Sequence, residues 1–189
     1  LEQESEFVSV QTTGATDVGL PLHLVVINSD KNFALDKIKE SDKLVWLINN
    51  GIHPGEPDGI DASMIYAREI LSDGFEENYK DVVILIIPFY NVGGALNRNC
   101  CSRANQNGPA SYGFRGNAKN LDLNRDFVKC DSKNAFSFNA LFTNWSPDVY
   151  LETHVSNGAD YPYTMTFLAS QSDKLGPELG DYTREGLSP

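Results

Sequence analysis

Two unbroken apolar runs constrain this chain more than any other feature: residues 43–49 (KLVWLIN) and residues 82–88 (VVILIIP). A strand with one face in water alternates apolar and polar residues, whereas a strand apolar at nearly every position has both faces covered. Between the runs, Ile60, Met64, Ala67, Ile70 and Leu71 recur at helical spacing over residues 58–72, with Gly74 placed as a stop. A helix joining two such strands is the repeating unit of a parallel sheet. The pattern predicts an α/β fold: a mainly parallel mixed sheet with helices on both faces.

Weaker signals extend this plan. Residues 22–28 read as a first strand and residues 32–41 as a short helix. Residues 132–145 read as a helix with Ser132 as its cap and Phe136, Ala140 and Leu141 on one face; residues 148–153 and 164–169 read as further strands. His23 falls inside the first strand with no acidic neighbour and reads as structural. The chain of 189 residues is read as a single domain over residues 1–189. A domain of that size buries about 70% of its unfolded surface.

The chain carries 15 Lys plus Arg against 26 Asp plus Glu, a net charge of −11, with no basic cluster. That balance argues against nucleic acid and anionic membranes as partners. No apolar stretch approaches the ~20 residues of a membrane span. The polar start, Leu1-Glu2-Gln3-Glu4, leaves the compartment open, with a secreted or periplasmic location favoured. Of the three cysteines, Cys130 can pair with Cys100 or Cys101, or all three can stay as thiols. Without Cys-x-x-Cys spacing they do not read as a zinc site. The oligomeric state is not encoded legibly.

Chemistry concentrates where the apolar runs end. His53-Pro54-Gly55-Glu56 follows the first run, and His154 follows the strand at residues 148–153. A lone loop histidine is usually a surface residue. Two imidazoles and a carboxylate at neighbouring strand ends would instead hold a metal ion and keep one coordination position open, as catalytic zinc sites do. In parallel sheets such sites form beyond the carboxyl ends of strands, which is where His53, Asn91 and His154 should emerge. Residues 90–120 are rich in Asn, Gly and Arg and lack periodicity, the mark of a functional loop. In NLDLNRDF (residues 120–127), Asn124 and Arg125 can grip a carboxylate. Asp122 can accept a hydrogen bond from the outer nitrogen of a metal-bound imidazole.

Taken in order, His53-x-x-Glu56, Asn91-Val92-Gly93-Gly94, Asn124-Arg125 and His154 resemble the zinc carboxypeptidases of the M14 (carboxypeptidase A-like) family over residues 43–168. The resemblance implies a phosphorylase/hydrolase-like zinc-peptidase fold, with Zn2+ held by His53, Glu56 and His154 and peptide or protein C-termini as substrates. It implies that Asn124 and Arg125 bind the terminal carboxylate, and that Asp122 orients the first zinc histidine. The family also uses an arginine upstream of the Asn-Arg pair to polarise the scissile carbonyl. Arg98, Arg103 and Arg115 compete for that role; Arg103, in an Arg-x-Asn context, matches best and Arg115 is the reserve.

The chain departs from the family in offering no identifiable general base. Glu185 lies too close to His154 in sequence, and Glu152 reads as a local ion pair. The chain therefore resembles the N-terminal, zinc-binding part of a longer domain. Two other readings stand beside the peptidase. One is an aspartoacylase- or desuccinylase-like deacylase of small N-acyl amino acids. The other is a zinc- and peptide-binding module without turnover.

Overall fold

The computed structural model describes residues 1–72, 74–103, 106, 109–156, 159 and 161–187. Residues 1–157 form one compact unit and residues 158–189 a second. In the first unit the strands are β1 (Val8–Ala15), β2 (Pro21–Asn28), β3 (Leu44–Asn49), β4 (Val82–Ile87), β5 (Arg98–Asn99), β6 (Tyr112–Gly113) and β7 (Val149–Glu152). Five of them form a mixed sheet in the order β1-β2-β4-β3-β7. The two apolar runs become β3 and β4, neighbours near its centre. They pair in parallel from Leu44↔Val82 to Asn49↔Ile87, and β7 joins β3 in parallel from Trp46↔Val149 to Asn49↔Glu152. β2 runs antiparallel to both β1 and β4. β5 and β6 form a separate small hairpin.

Both faces of the sheet are covered around β3 and β4, as two unbroken apolar strands demand, while β7 at the edge is exposed. On one face Leu24, Val45, Leu47, Val83, Leu85 and Ile87 share a buried cluster with Ile38 of α1 (Leu35–Lys39) and Phe138, Leu141 and Trp145 of α5 (Lys133–Trp145). On the other, Ile27, Ile48, Ile84 and Ile86 meet Ala67 and Ile70 of α2 (Asp58–Ile70) and Phe75 of α3 (Phe75–Asn78). A further short helix, α4 (Val92–Leu96), follows β4.

Several sequence expectations are corrected. Residues 164–169 carry no strand. The segment before β2 does: Val8–Ala15 forms an edge strand with many polar positions, which masks it in an apolar search. His23 therefore lies in the second strand, and its side chain is exposed. The helix expected over residues 32–41 shrinks to Leu35–Lys39. α2 ends at Ile70, and Gly74, with φ +86°, opens α3 instead of stopping α2. The cysteine expectation fails in both forms. Cys100 is joined to its neighbour Cys101 and Cys130 is free.

Ser132 caps α5 as expected, accepting from the Ala135 N–H at 3.0 Å. The cap is itself held by buried Asp126, which takes the Ser132 hydroxyl and the N–H groups of Asp131 and Ser132, both at 2.9 Å. Burial alone would raise the Asp126 pKa. The Ser132 hydroxyl, the two N–H groups and the Lys129 charge outweigh it, so the carboxyl sits below its ordinary 3.8. A depressed folded-state pKa stabilises the fold above the unfolded value, and this contribution is lost as pH falls through the folded-state value. Asp126→Asn should cost about 1–3 kcal/mol at pH 7. The melting gap between wild type and variant should narrow below the ordinary value of 3.8. A gap constant from pH 7 to strongly acid conditions would show that the ionised carboxylate is not what holds the cap.

The second unit contains a 3-10 turn (Ser172–Lys174), α6 (Gly176–Tyr182) and a π-helical turn (Thr183–Leu187). Arg184 ties its pieces together through Asp173 and Asp181. Among the described residues no helix is long and apolar enough to cross a membrane.

Candidate metal centre

The parallel register brings the carboxyl ends of β4, β3 and β7 side by side, because Asn49 lies opposite both Ile87 and Glu152. Asn50, fully buried, spends its side chain on sewing those ends together. Its amide donates to Ile87 O at 3.2 Å and to the Ser63 hydroxyl of α2 at 2.8 Å, and its oxygen takes the Thr153 hydroxyl at 2.8 Å. Tyr90 N–H and Asn91 N–H bond the carbonyls of Asn50 and Gly51, stapling the loop after β4 to the loop after β3. The chain turns at Gly51 with φ +66°, a conformation glycine adopts without a Cβ penalty. His53 and His154 are thereby delivered to one edge of the sheet.

There the three expected donors converge. Atoms of His53, Glu56 and His154 all lie within 4.8 Å of one another, and the two imidazole rings are 5.0 Å apart. His53 and Glu56 are buried, at 3% and 2% exposure, while His154 faces solvent. One side of the group is thus enclosed by protein and the other is open.

The outer atoms of the donors are already engaged. His53 Nε2 lies 3.1 Å from Asp122 Oδ1; in the Nε2–H tautomer that carboxylate takes the proton and Nδ1 is left with a lone pair. His53 Nδ1 in turn faces Glu56 Oε1 at 3.1 Å. Two electron-pair donors facing each other need positive charge nearby; the Arg103 guanidinium on Glu56 and the Arg115 guanidinium 3.3 Å from His53 Nδ1 supply part of it, and a cation between the donors would supply the rest. His154 Nε2 meets the Asn124 side-chain amide at 3.2 Å, leaving Nδ1 as its available donor. The backbone beyond His154 returns to the site, with Val155 N–H reaching Glu56 Oε2 at 3.2 Å. Burial pushes the Glu56 pKa up, but the hydrogen bond and charge of His53, the Val155 N–H and the Arg103 charge together hold it below its ordinary value. Burial likewise opposes ionisation of Asp122, and His53, Arg115 and the Asn124 N–H prevail. Both carboxylates are ionised at neutral pH. A nitrogen, nitrogen, oxygen donor set with one open side fits a tetrahedral zinc ion.

The arginines separate by partner. Arg103 Nη1 donates to Glu56 Oε1 at 2.6 Å, and its backbone N–H bonds the Tyr112 hydroxyl of β6 at 2.9 Å. Arg115 grips Asp122 instead, through Nε at 3.0 Å and Nη2 at 3.0 Å. Arg98 points away, to Ser111 O. Asn105, which completes the Arg-x-Asn context of Arg103, lies outside the described residues. Asn124 and Arg125 sit on a 3-10 turn, Leu123–Arg125, opened by Asp122; Arg125 is exposed and its Nη1 bonds Asn124 O at 3.1 Å. Glu152 takes the Tyr150 hydroxyl at 3.4 Å and, among the described residues, has no cation partner, which corrects the expected ion pair. Glu185 lies in the second unit. Sequence reasoning missed the return of Val155 N–H, because a backbone donor leaves no signature in residue type.

The fold matches solved carboxypeptidase structures. A metallo-carboxypeptidase from Pseudomonas aeruginosa in complex with (2-guanidinoethylmercapto)succinic acid superposes with a TM-score of 0.60 at 18% identity, covering 83% of this chain and 37% of that one. A metallo-carboxypeptidase from Burkholderia cenocepacia gives 0.59 at 18% identity, covering 82% and 38%. The carboxypeptidase A from Helicoverpa armigera gives 0.59 at 14% identity, covering 80% and 41%. The chain therefore spans 37–41% of the length of these three structures. No curated protein matches it by sequence. A family model for zinc carboxypeptidases does match, over residues 1–167. That match takes in the sheet, both histidines and the Asn124-Arg125 turn, and the chain belongs to the M14 zinc carboxypeptidase family.

Proposed function

We propose that this chain carries the metal-binding part of a zinc metallocarboxypeptidase that hydrolyses the C-terminal peptide bond of its substrate. One observation supports this above the others: the donor atoms of His53, Glu56 and His154 come within 4.8 Å of one another beside the Asn124-Arg125 turn. A zinc ion held there would polarise a carbonyl and lower the pKa of a bound water towards ~7. Arg125, exposed and free of a carboxylate partner among the described residues, would take the substrate's terminal carboxylate with Asn124 beside it. Arg103 would face the developing negative charge on the carbonyl oxygen, with Arg115 committed to Asp122.

The test compares a peptide with a free C-terminus, the same peptide amidated, and an N-acyl amino acid. Zinc-dependent release of the last residue from the free peptide alone supports the peptidase. Preference for the N-acyl amino acid supports the deacylase reading. Tight zinc and peptide binding with no turnover supports the non-catalytic module. Arg125→Ala should raise KM for the free peptide roughly 10–100-fold, the scale of a lost charge-assisted hydrogen bond of about 1.5–3 kcal/mol. An unchanged KM would remove Arg125 from the binding role.

A further inference from the structure

Asp122 is held on both of its oxygens. Oδ1 faces His53 Nε2 at 3.1 Å and takes the Asn124 N–H at 2.9 Å. Oδ2 accepts from Arg115 Nε at 3.0 Å, and Nη2 of the same guanidinium lies against it as an ion pair at 3.0 Å. A carboxylate held at one oxygen can turn about its C–C bond; one forked at the second oxygen cannot. Arg115 is itself anchored. Its carbonyl accepts from the Asn91 side-chain amide at 3.0 Å. The same amide reaches Ile52 O, the residue before His53, at 3.4 Å, while Asn91 Oδ1 takes the Gly94 N–H at 2.9 Å and caps α4. Asn91 is fully buried. Phe114 N–H bonds Gly94 O at 2.8 Å, so the backbone beside Arg115 is sewn to the same short helix. A buried asparagine thus ties together the backbone that carries His53 and the backbone that carries the guanidinium on the other side of it.

We infer that Arg115 is a positioning residue: by locking the Asp122 carboxylate it keeps the His53 proton on Nε2 and presents Nδ1 to the metal. This rests on the zinc reading above. It gives Arg115 a different task from Arg103, whose guanidinium is paired with Glu56 at 2.6 Å. The side chain of Arg115 is 39% exposed, so its removal leaves no large buried hole. Its Nη1 also comes within 3.3 Å of His53 Nδ1. If that contact competed with metal, losing Arg115 would tighten zinc binding. The hydrogen bond and ion pair to Asp122 outweigh the one longer contact, so the expected sign is the opposite.

The experiment measures zinc affinity by competition with a chelator in wild type, Arg115→Met and Arg115→Lys, and the His53 tautomer by 15N NMR in the metal-stripped proteins. Loss of a group that itself orients a metal ligand costs about 10–100-fold in affinity, and Arg115, one bond further out, is expected at the low end of that loss. Arg115→Met should show that loss, together with a mixed His53 tautomer in place of the Nε2–H form. Arg115→Lys keeps the charge but not the fork, and should fall between, by several-fold. In an Asp122→Asn background, Arg115→Met should change affinity by less than about two-fold, because coupled groups are non-additive. Wild-type affinity and tautomer in Arg115→Met, tighter zinc binding, or a full further loss in the Asp122→Asn background would each overturn the proposal. If Arg115→Met fails to fold, wild-type values in Arg115→Lys would do the same. The tautomer is read without metal, so a wild type that binds no zinc would defeat the zinc reading while this assignment is still decided.

Discussion

His154→Ala is expected to lower zinc affinity by more than about 100-fold while leaving the fold nearly unchanged. Even partners that merely orient a metal ligand are worth 10–100-fold, and His154 would supply one of only three protein donors. The stability side of the argument is burial. His154 is exposed at the end of β7, with Asn124 as its polar neighbour, so its truncation leaves no cavity and no orphaned charge. Exposed substitutions of that kind usually stay within about 0.5 kcal/mol. His53→Ala should also lose zinc, but less cleanly. His53 is buried against Glu56, Asp122 and Arg115, and its removal disturbs two ionised carboxylates. Metal analysis after dialysis and a thermal melt of the stripped protein distinguish the two effects. Wild-type zinc affinity in His154→Ala would sink the metal assignment outright.

The second large effect is on stability. Leu85 is fully buried on β4, between β2 and β3, in the cluster shared with α1 and α5. Hydrogen-bonded strands on both sides leave the backbone little room to collapse into a cavity. Leu85→Ala should therefore cost roughly 3–5 kcal/mol, towards the upper part of the range for buried leucines. In a unit of this size each kcal/mol lowers the melting temperature by about 2–4 °C, so a drop of about 10 °C is expected. Met64→Ala, exposed on α2, serves as the control and should move it little. Equal shifts for the two would mean that the β4 face is not the core.

The parts of this fold that were legible in sequence are those where one physical effect dominates. β3 and β4 announce themselves because a strand covered on both faces cannot carry polar residues. α2 and α5 are legible as helices, but their buried faces only in part: Met64 of α2 and Phe136 and Ala140 of α5 are exposed, and α5 packs through Phe138, Leu141 and Trp145 instead. The convergence of His53, Glu56 and His154 was legible because each follows a readable strand. β1 was not, because an edge strand keeps water on much of its surface and carries threonine and glutamine. The division between Arg103 and Arg115 was not either. Both arginines lie in an aperiodic segment, and the choice depends on which carboxylate each reaches across the fold. Nor could residue type reveal that Cys100 pairs with its own neighbour.

Gly59, in the first turn of α2, stands directly against Thr153: a Cβ at position 59 would lie 2.1 Å from both the Thr153 Cβ and its hydroxyl oxygen. Thr153 cannot step aside easily, since its hydroxyl and its N–H are both bonded, to Asn50 and Asn49. The next residue is His154. The spacing between the helix and the strand tip is therefore set by hydrogen atoms alone, with no compressible side chain between them. Any sliding of that helix along the sheet would be handed on, almost undamped, to the exposed imidazole.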